Sequence, residues 1–295
     1  MRLLALGVLV TLLCAAALAS GASRSRPRLI VYWSTSPYPS LWAVKPDGSG
    51  RHRLVRLQKN AKRPRLSPDG RWVAFDGARP GVPAMSDFDI QVVRVDGRGR
   101  RTLTATEEWD VDAQWAPDGS RIAFTRMPAG ADWKKAGVWT VAPDGSDAHP
   151  IVLGQLARWS PDGKQLVFAA PTDSSDGDLF VVNADGTGLR QLLATRELEQ
   201  AADWSPDGTK ILFNRFGSPP GYADIYVMNV DGTAVRRLTR ARDDDLAAGW
   251  SQDGKTILFT SGRGGGSHLY LMNADGSRQR KISRSLANEY DPSWR

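Results

Sequence analysis

Cysteine is almost missing from this chain of 295 residues: Cys14 is the single one, and it falls inside an N-terminal apolar run. Disulfide stapling and thiol chemistry are therefore excluded for everything after that run. Histidine is nearly as scarce, with His52, His149 and His268 in separate segments. No His/Cys group has zinc spacing. No Gly-x-Ser-x-Gly elbow occurs, so a serine-hydrolase triad has no foothold. Also missing is the stripe of Lys and Arg with interleaved aromatics that nucleic-acid binding calls for. The 39 Lys and Arg residues outnumber the 32 Asp and Glu, but the arginines are scattered along turns. The reading is no nucleic-acid partner.

What is present begins with an export signal. Arg2 precedes the uncharged run Leu3–Ala19, and Ala17-Leu18-Ala19 is a small-x-small cleavage site before Ser20. Residues 1–19 read as a signal peptide, 20–27 as a short linker and 28–295 as one folded unit. The run is nearly long enough to serve as an uncleaved anchor instead. After cleavage no stable membrane span remains. The expected location is the periplasm, the cell envelope or the medium.

The rest of the chain keeps rewriting one text. WSPDGTKILF (204–213) returns as WAPDGSRIAF (115–124), WSPDGKQLVF (159–168) and WSQDGKTILF (250–259), and as LSPDGRWVAF (66–75) with Leu66 for Trp. Ser-Pro-Asp-Gly suits a type I turn: Pro presets φ, Asp tolerates the bridge region, and Gly takes positive φ. Turn chemistry thus accounts for Asp69, Asp118, Asp162, Asp207 and Asp253 without a catalytic role. The run after each turn has the β-branched and aromatic content of a buried strand.

A second strand–turn text alternates with the first, as in IYVMNVDGTA (225–234). Its aspartates fall at 47, 96, 144, 185, 231 and 275. Periods of 40–50 residues with four short strands each mark a β-propeller. Five units are continuous, starting near Ala61, Asp110, Gln155, Glu199 and Leu246. The sixth is split: Glu289–Trp294 supplies its inner strand, and Arg28–Trp33, Leu41–Lys45 and His52–Arg56 supply the others. The expected fold is all-β, a six-bladed propeller of four-stranded antiparallel blades with one blade shared by both termini. That closure removes free sheet edges. The recurrent Trp115, Trp159, Trp204, Trp250 and Trp294 occupy one register and are expected to wedge between blades rather than to form a stacking platform.

These motifs, WSPDG-x-x-I-x-F followed by I-Y-V-M-N-x-D-G-x-x-x-x-R-L-T, resemble the repeat of the TolB family of periplasmic translocation proteins. The resemblance runs from about Arg28 to Arg295. It implies a propeller, and it implies peptide capture at one channel mouth. The extra N-terminal domain of TolB is expected to be absent, and so is the hydrolase domain that follows similar propellers in prolyl-oligopeptidase-type enzymes.

Strand alternation then nominates a site. Positions one, three and five before the Trp register are expected to face the central channel. Five back stand Ala61, Asp110, Gly154, Glu199, Asp245 and Glu289; three back stand Arg63, Asp112 and Asp291; one back stand Arg65, Gln114, Arg158, Asp203, Gly249 and Ser293. The reading is an acidic channel mouth at Asp110, Asp112, Glu199, Asp245, Glu289 and Asp291. Converging carboxylates suit Ca²⁺ or a basic peptide. Trp109, Trp133 and Tyr222 are the candidates on the variable-loop face. The expected function is a monomeric, non-enzymatic, exported module that binds an envelope protein or peptide. The alternative is a carbohydrate lyase or glycosidase that uses channel carboxylates.

Overall fold

The computed structural model describes residues 29–35, 40–56, 62–78, 88–128, 132–173, 177–217, 222–283 and 287–294. The signal and linker segments lie outside them, as do Ala61 and the tips of four variable loops. No helix among the described residues is long and apolar enough to cross a membrane.

Six four-stranded antiparallel sheets stand as blades around a channel. Blade two comprises β4 (Lys62–Leu66), β5 (Trp72–Ala78), β6 (Phe88–Arg94) and β7 (Arg101–Thr102). Blade three comprises β8 (Trp109–Trp115), β9 (Ile122–Met127), β10 (Gly137–Val141) and β11 (His149–Leu153), and blades four, five and six repeat the plan. Blade one is the shared one. Its inner strand β24 (Glu289–Trp294) pairs with β1 (Ile30–Ser34), followed outward by β2 (Ser40–Val44) and β3 (His52–Arg56). The expected six blades and their mode of closure are both observed.

The turns form as their sequences dictate. In the 67–70 turn, Gly70 N–H donates to the Ser67 carbonyl at 2.8 Å, while Asp69 accepts from Ser67 Oγ at 2.6 Å and from Arg71 N–H at 3.0 Å. Asp162, Asp207 and Asp253 accept from their own turn serines in the same way. These aspartates are turn residues.

The core lies at the joints rather than within the blades. Each of six apolar clusters combines residues of two neighbouring blades: Ala74, Ile90 and Val92 of blade two, for example, pack with Trp115, Ile122 and Phe124 of blade three. Trp115, Trp204 and Trp250 are buried; Trp159 and Trp294 are half-buried. Three indoles also bridge a joint by hydrogen bonding. Trp115 Nε1 donates to the Arg65 carbonyl, Trp159 Nε1 to that of Gln114 and Trp204 Nε1 to that of Arg158, at 3.0–3.3 Å. Each therefore ties its blade to the residue just before the Trp register of the preceding blade.

The inner strands are not regular. Pairing with the second strand shifts between Val111 and Gln114, between Ala201 and Asp203, and between Ala247 and Gly249. At the third position before the register Arg63, Asp112, Leu156 and Asp291 all have positive φ, between 47° and 58°. Left-handed backbone costs a non-glycine residue about 1–2 kcal/mol, so a bulge repeated in four blades needs compensation. The preceding blade supplies it for Asp112 and Leu156, and makes the same contact at Ala247 of blade six, where φ is not positive. Asp76 accepts from Asp112 N–H, Thr125 from Leu156 N–H and Asn214 from Ala247 N–H, at 2.8–2.9 Å. Each acceptor directly follows the repeat Phe.

Candidate functional site

The bulge decides which inner-strand residues reach the channel, because one extra residue inverts side-chain alternation beyond it. One position before the register the alternation holds. Arg65, Gln114, Arg158, Asp203, Gly249 and Ser293, one from each blade, line a single cavity of about 270 Å³. It opens on the Pro-Asp-Gly face, ringed by the register tryptophans and by Pro117, Pro161 and Pro206; Gln252 takes the place of the equivalent proline in blade six.

Five positions back the expectation fails. Asp110, Glu199, Asp245 and Glu289 are at most 1% exposed and do not line this cavity. Three of them are held by an arginine of their own blade instead. Asp110 accepts two hydrogen bonds from Arg126 at 2.7 and 2.8 Å, Glu199 accepts from Arg215 at 2.9 Å and Asp245 from Arg263 at 2.7 Å. Each guanidinium lies over the repeat Phe and the aromatic of the third strand; Arg126 sits 4.4 Å from the Trp139 ring centroid and Arg215 4.8 Å from that of Tyr226. In blade four, where Gly154 replaces the acid, the Phe168 ring fills the space against its Cα. Glu289 sits in the field of Arg51, beside Tyr32 and Ser283. Burial raises the carboxyls of Glu199 and Glu289 above their ordinary values, although Thr195 and Arg215 at the one, and Ser283 and Arg51 at the other, pull them back. Asp110, Glu199 and Asp245 are clips inside their blades, and Glu289 is buried beside them in the ring without such a clip. The described residues hold no group of three or more His, Cys, Asp or Glu side chains placed for a metal ion. Both carboxylate oxygens of Asp110 are taken by Arg126, whereas Glu199 Oε2 and Asp245 Oδ1 are buried with no hydrogen-bond partner among the described residues.

Asp112 and Asp291, three positions back, are brought beneath the cavity. Asp112 accepts from Arg158 Nη1 at 2.6 Å and lies 3.8 Å from Arg65 Nη2. Burial alone would raise its carboxyl; Arg158, Arg65 and Arg63 together hold it below the ordinary range. The Asp291 carbonyl accepts from Arg65 Nη1 at 3.2 Å. Burial lowers the Arg65 guanidinium, and the neighbouring charge of Arg158 lowers it further. The two cations are close enough to repel, with Asp112 between them. Asp203 stands on the far wall and accepts from Trp204 N–H and Trp250 N–H at 2.9 Å. The cavity is thus dipolar: two guanidiniums on blades two and four, one carboxylate on blade five.

The loop-face candidates do not gather at this site. Trp109 packs edge-on to Phe88 with centroids 5.5 Å apart. Trp133 opens a single 3-10 turn, with Lys134 over its ring. Tyr222, 45% exposed, borders a small cavity of about 200 Å³ with Glu197, Arg215 and Asp224.

Comparison with known proteins shows which propellers this one resembles. The TolB beta propeller domain model matches residues 217–295. TolB from Acinetobacter baumannii superimposes with a TM-score of 0.77 at 17% identity, covering 91% of this chain and 66% of that one. The chain carries a TolB-like β-propeller. This TolB-like chain is also 30% identical over 122 residues to dipeptidyl-peptidase 5 of Porphyromonas endodontalis, a match over 38% of the chain and 17% of the relative's length. A further fold neighbour is an oligogalacturonate lyase in complex with manganese, with a TM-score of 0.58 at 17% identity, covering 88% of this chain and 74% of the lyase. Named peptidases and lyases therefore stand among the proteins similar to this TolB-like propeller.

Proposed function

We propose that this TolB-like propeller is an exported binding module of the cell envelope, and that its ligand is a protein segment presenting a carboxylate to the central cavity. The observation that carries the reading is the convergence of Arg65 and Arg158 on one concave, Trp-rimmed cavity at the channel axis. Planar guanidiniums match carboxylates two bonds at a time, and a low-dielectric wall strengthens that recognition. Asp112 keeps both cations oriented, so little side-chain entropy remains to be lost on binding. The apolar run 3–19, read as an export signal, supports a place outside the cytoplasm. The site moves from the acidic mouth expected from sequence to the opposite face, and the preferred ligand charge reverses with it.

The alternative, a carbohydrate enzyme, draws support from the lyase fold neighbour. It would need acid and base groups free in the channel, whereas Asp110, Glu199 and Asp245 are engaged by arginine.

The experiment is selection of displayed peptides against the full chain. Selected peptides should share a carboxylate near the entering end and should lose binding when Ser293→Trp plugs the cavity. Peptides that bind the plugged variant equally well, or turnover of a polyuronate by the wild type, would overturn the reading.

A further inference from the structure

The arginines that look scattered along the sequence are gathered by the ring. The start of every outermost strand occupies the same register, two to six residues after the Asp of the third-strand turn. In blades six, one and two these windows are SRQRK (277–281), SGRHR (49–53) and RGRRT (98–102). They hold eight Arg or Lys residues, all exposed, and no acid. In blades three, four and five the windows are SDAHP (146–150), TGLRQ (187–191) and TAVRR (233–237), with three arginines and one aspartate. Blades six, one and two are consecutive around the ring because blade one is the shared blade. Their edges also touch: a Cβ on Gly48 would meet the Ile282 carbonyl at 2.8 Å, and one on Gly97 the Leu54 carbonyl at 2.7 Å. Eight cations on one continuous flank exceed the formal net charge of the whole chain, +7.

We propose that this flank binds a linear acidic polysaccharide, laid along the rim across the three blades. A long polyanion suits a curved row of forked cations better than a compact anion does, since each blade adds a further charge contact. A membrane surface would be expected to meet apolar side chains as well. Among the described residues the exposed large apolar ones, Leu153, Leu189, Tyr222 and Val235, all belong to blades three to five. Bases of a nucleic acid would need open aromatic faces to stack on. The tryptophans of this flank are covered: Arg51 lies 3.8 Å from the Trp42 centroid and Arg101 5.1 Å from that of Trp72. The proposal is independent of the central cavity.

The test measures anisotropy of a labelled linear polyuronate titrated with the full chain at low salt. Wild type should bind, and added salt should weaken binding as screening requires. Arg53→Glu/Arg98→Glu/Arg280→Glu should weaken it at least about tenfold, with circular dichroism and melting unchanged. The control Arg190→Glu/Arg236→Glu, on the opposite flank, should change it by less than about twofold. Equal losses in both variants would reduce the effect to net charge and overturn the assignment. So would an unaffected triple variant, absence of binding by wild type, or tighter binding of a single-stranded DNA of matched charge.

Discussion

Trp204 and Trp250 separate packing from hydrogen bonding at the blade joints. Both are buried, 4% and 7% exposed, at equivalent positions of neighbouring blades. Trp204 Nε1 donates to the Arg158 carbonyl at 3.0 Å, whereas Trp250 Nε1 is buried without a partner. Truncation to alanine removes the wedge from a joint that also holds Val181, Ile211 and Phe213, and should cost ~3–5 kcal/mol at either position. Truncation to phenylalanine keeps most of the ring. Trp204→Phe loses a hydrogen bond, while Trp250→Phe removes a donor that had no acceptor. The first should therefore be worse than the second by about 1 kcal/mol. Urea unfolding followed by far-UV circular dichroism reads both. With a slope near 3 kcal/mol/M, an alanine loss of about 4 kcal/mol moves the midpoint by more than about 1 M. Alanine losses below about 1 kcal/mol would refute the wedge as the main joint contact. Phenylalanine variants of equal stability, or the reverse order, would refute the hydrogen-bond argument.

Two further outcomes follow from buried groups. Asp76 is buried beside Arg63, and burial pushes its carboxyl from 3.8 to about 6 despite that partner. A raised carboxyl favours the folded state while protonated: the contribution is full below about pH 4 and is lost as pH rises through about 6, a span worth ~3 kcal/mol. Melting temperature against pH should thus fall less steeply between these limits in Asp76→Asn than in wild type, and parallel curves would count against the assignment. Gly154→Ala should lose about 2–3 kcal/mol, because at φ 141° the added Cβ enters the Phe168 ring and comes within 2.9 Å of the Ala169 carbonyl. Phe168→Leu in the same chain should recover part of the loss if that contact is the cause, as read by thermal unfolding.

Repetition made the architecture legible. A turn rewritten at 66, 115, 159, 204 and 250, and an inner-strand text at 289–294 that finds its second strand at 30–34, mark both blade number and closure. The side-chain inventory of the channel was only half legible. Positions one before the register followed simple alternation, but the bulge at Arg63, Asp112, Leu156 and Asp291 has no residue signature: an arginine, two aspartates and a leucine share it. What selects the bulge at Asp112 and Leu156 is a polar side chain on the neighbouring blade, Asp76 or Thr125, far away in sequence. The arginine clips did leave a trace. Arg126 and Arg215 each stand two residues after the repeat Phe, opposite Asp110 and Glu199 in the strand pairing. Counting charges along one strand at a time conceals such a pair. The basic flank was hidden for the same reason, since 277–281 and 49–53 become neighbours only when the ring closes.

Closure through blade one also sets when this molecule can finish folding. Ile30 pairs with Trp294 and Ser34 with Glu289, so the first strand of the fold waits for the last segment to be made. Blades two to six are built from local hairpins and can form as synthesis proceeds. Blade one cannot, and pairing of such large sequence separation is slow because the whole intervening chain must be brought together first. Until then β1 offers an unsatisfied edge. A chain emerging N-terminus first therefore stays an open arc and becomes a ring only after residues 289–294 have been made.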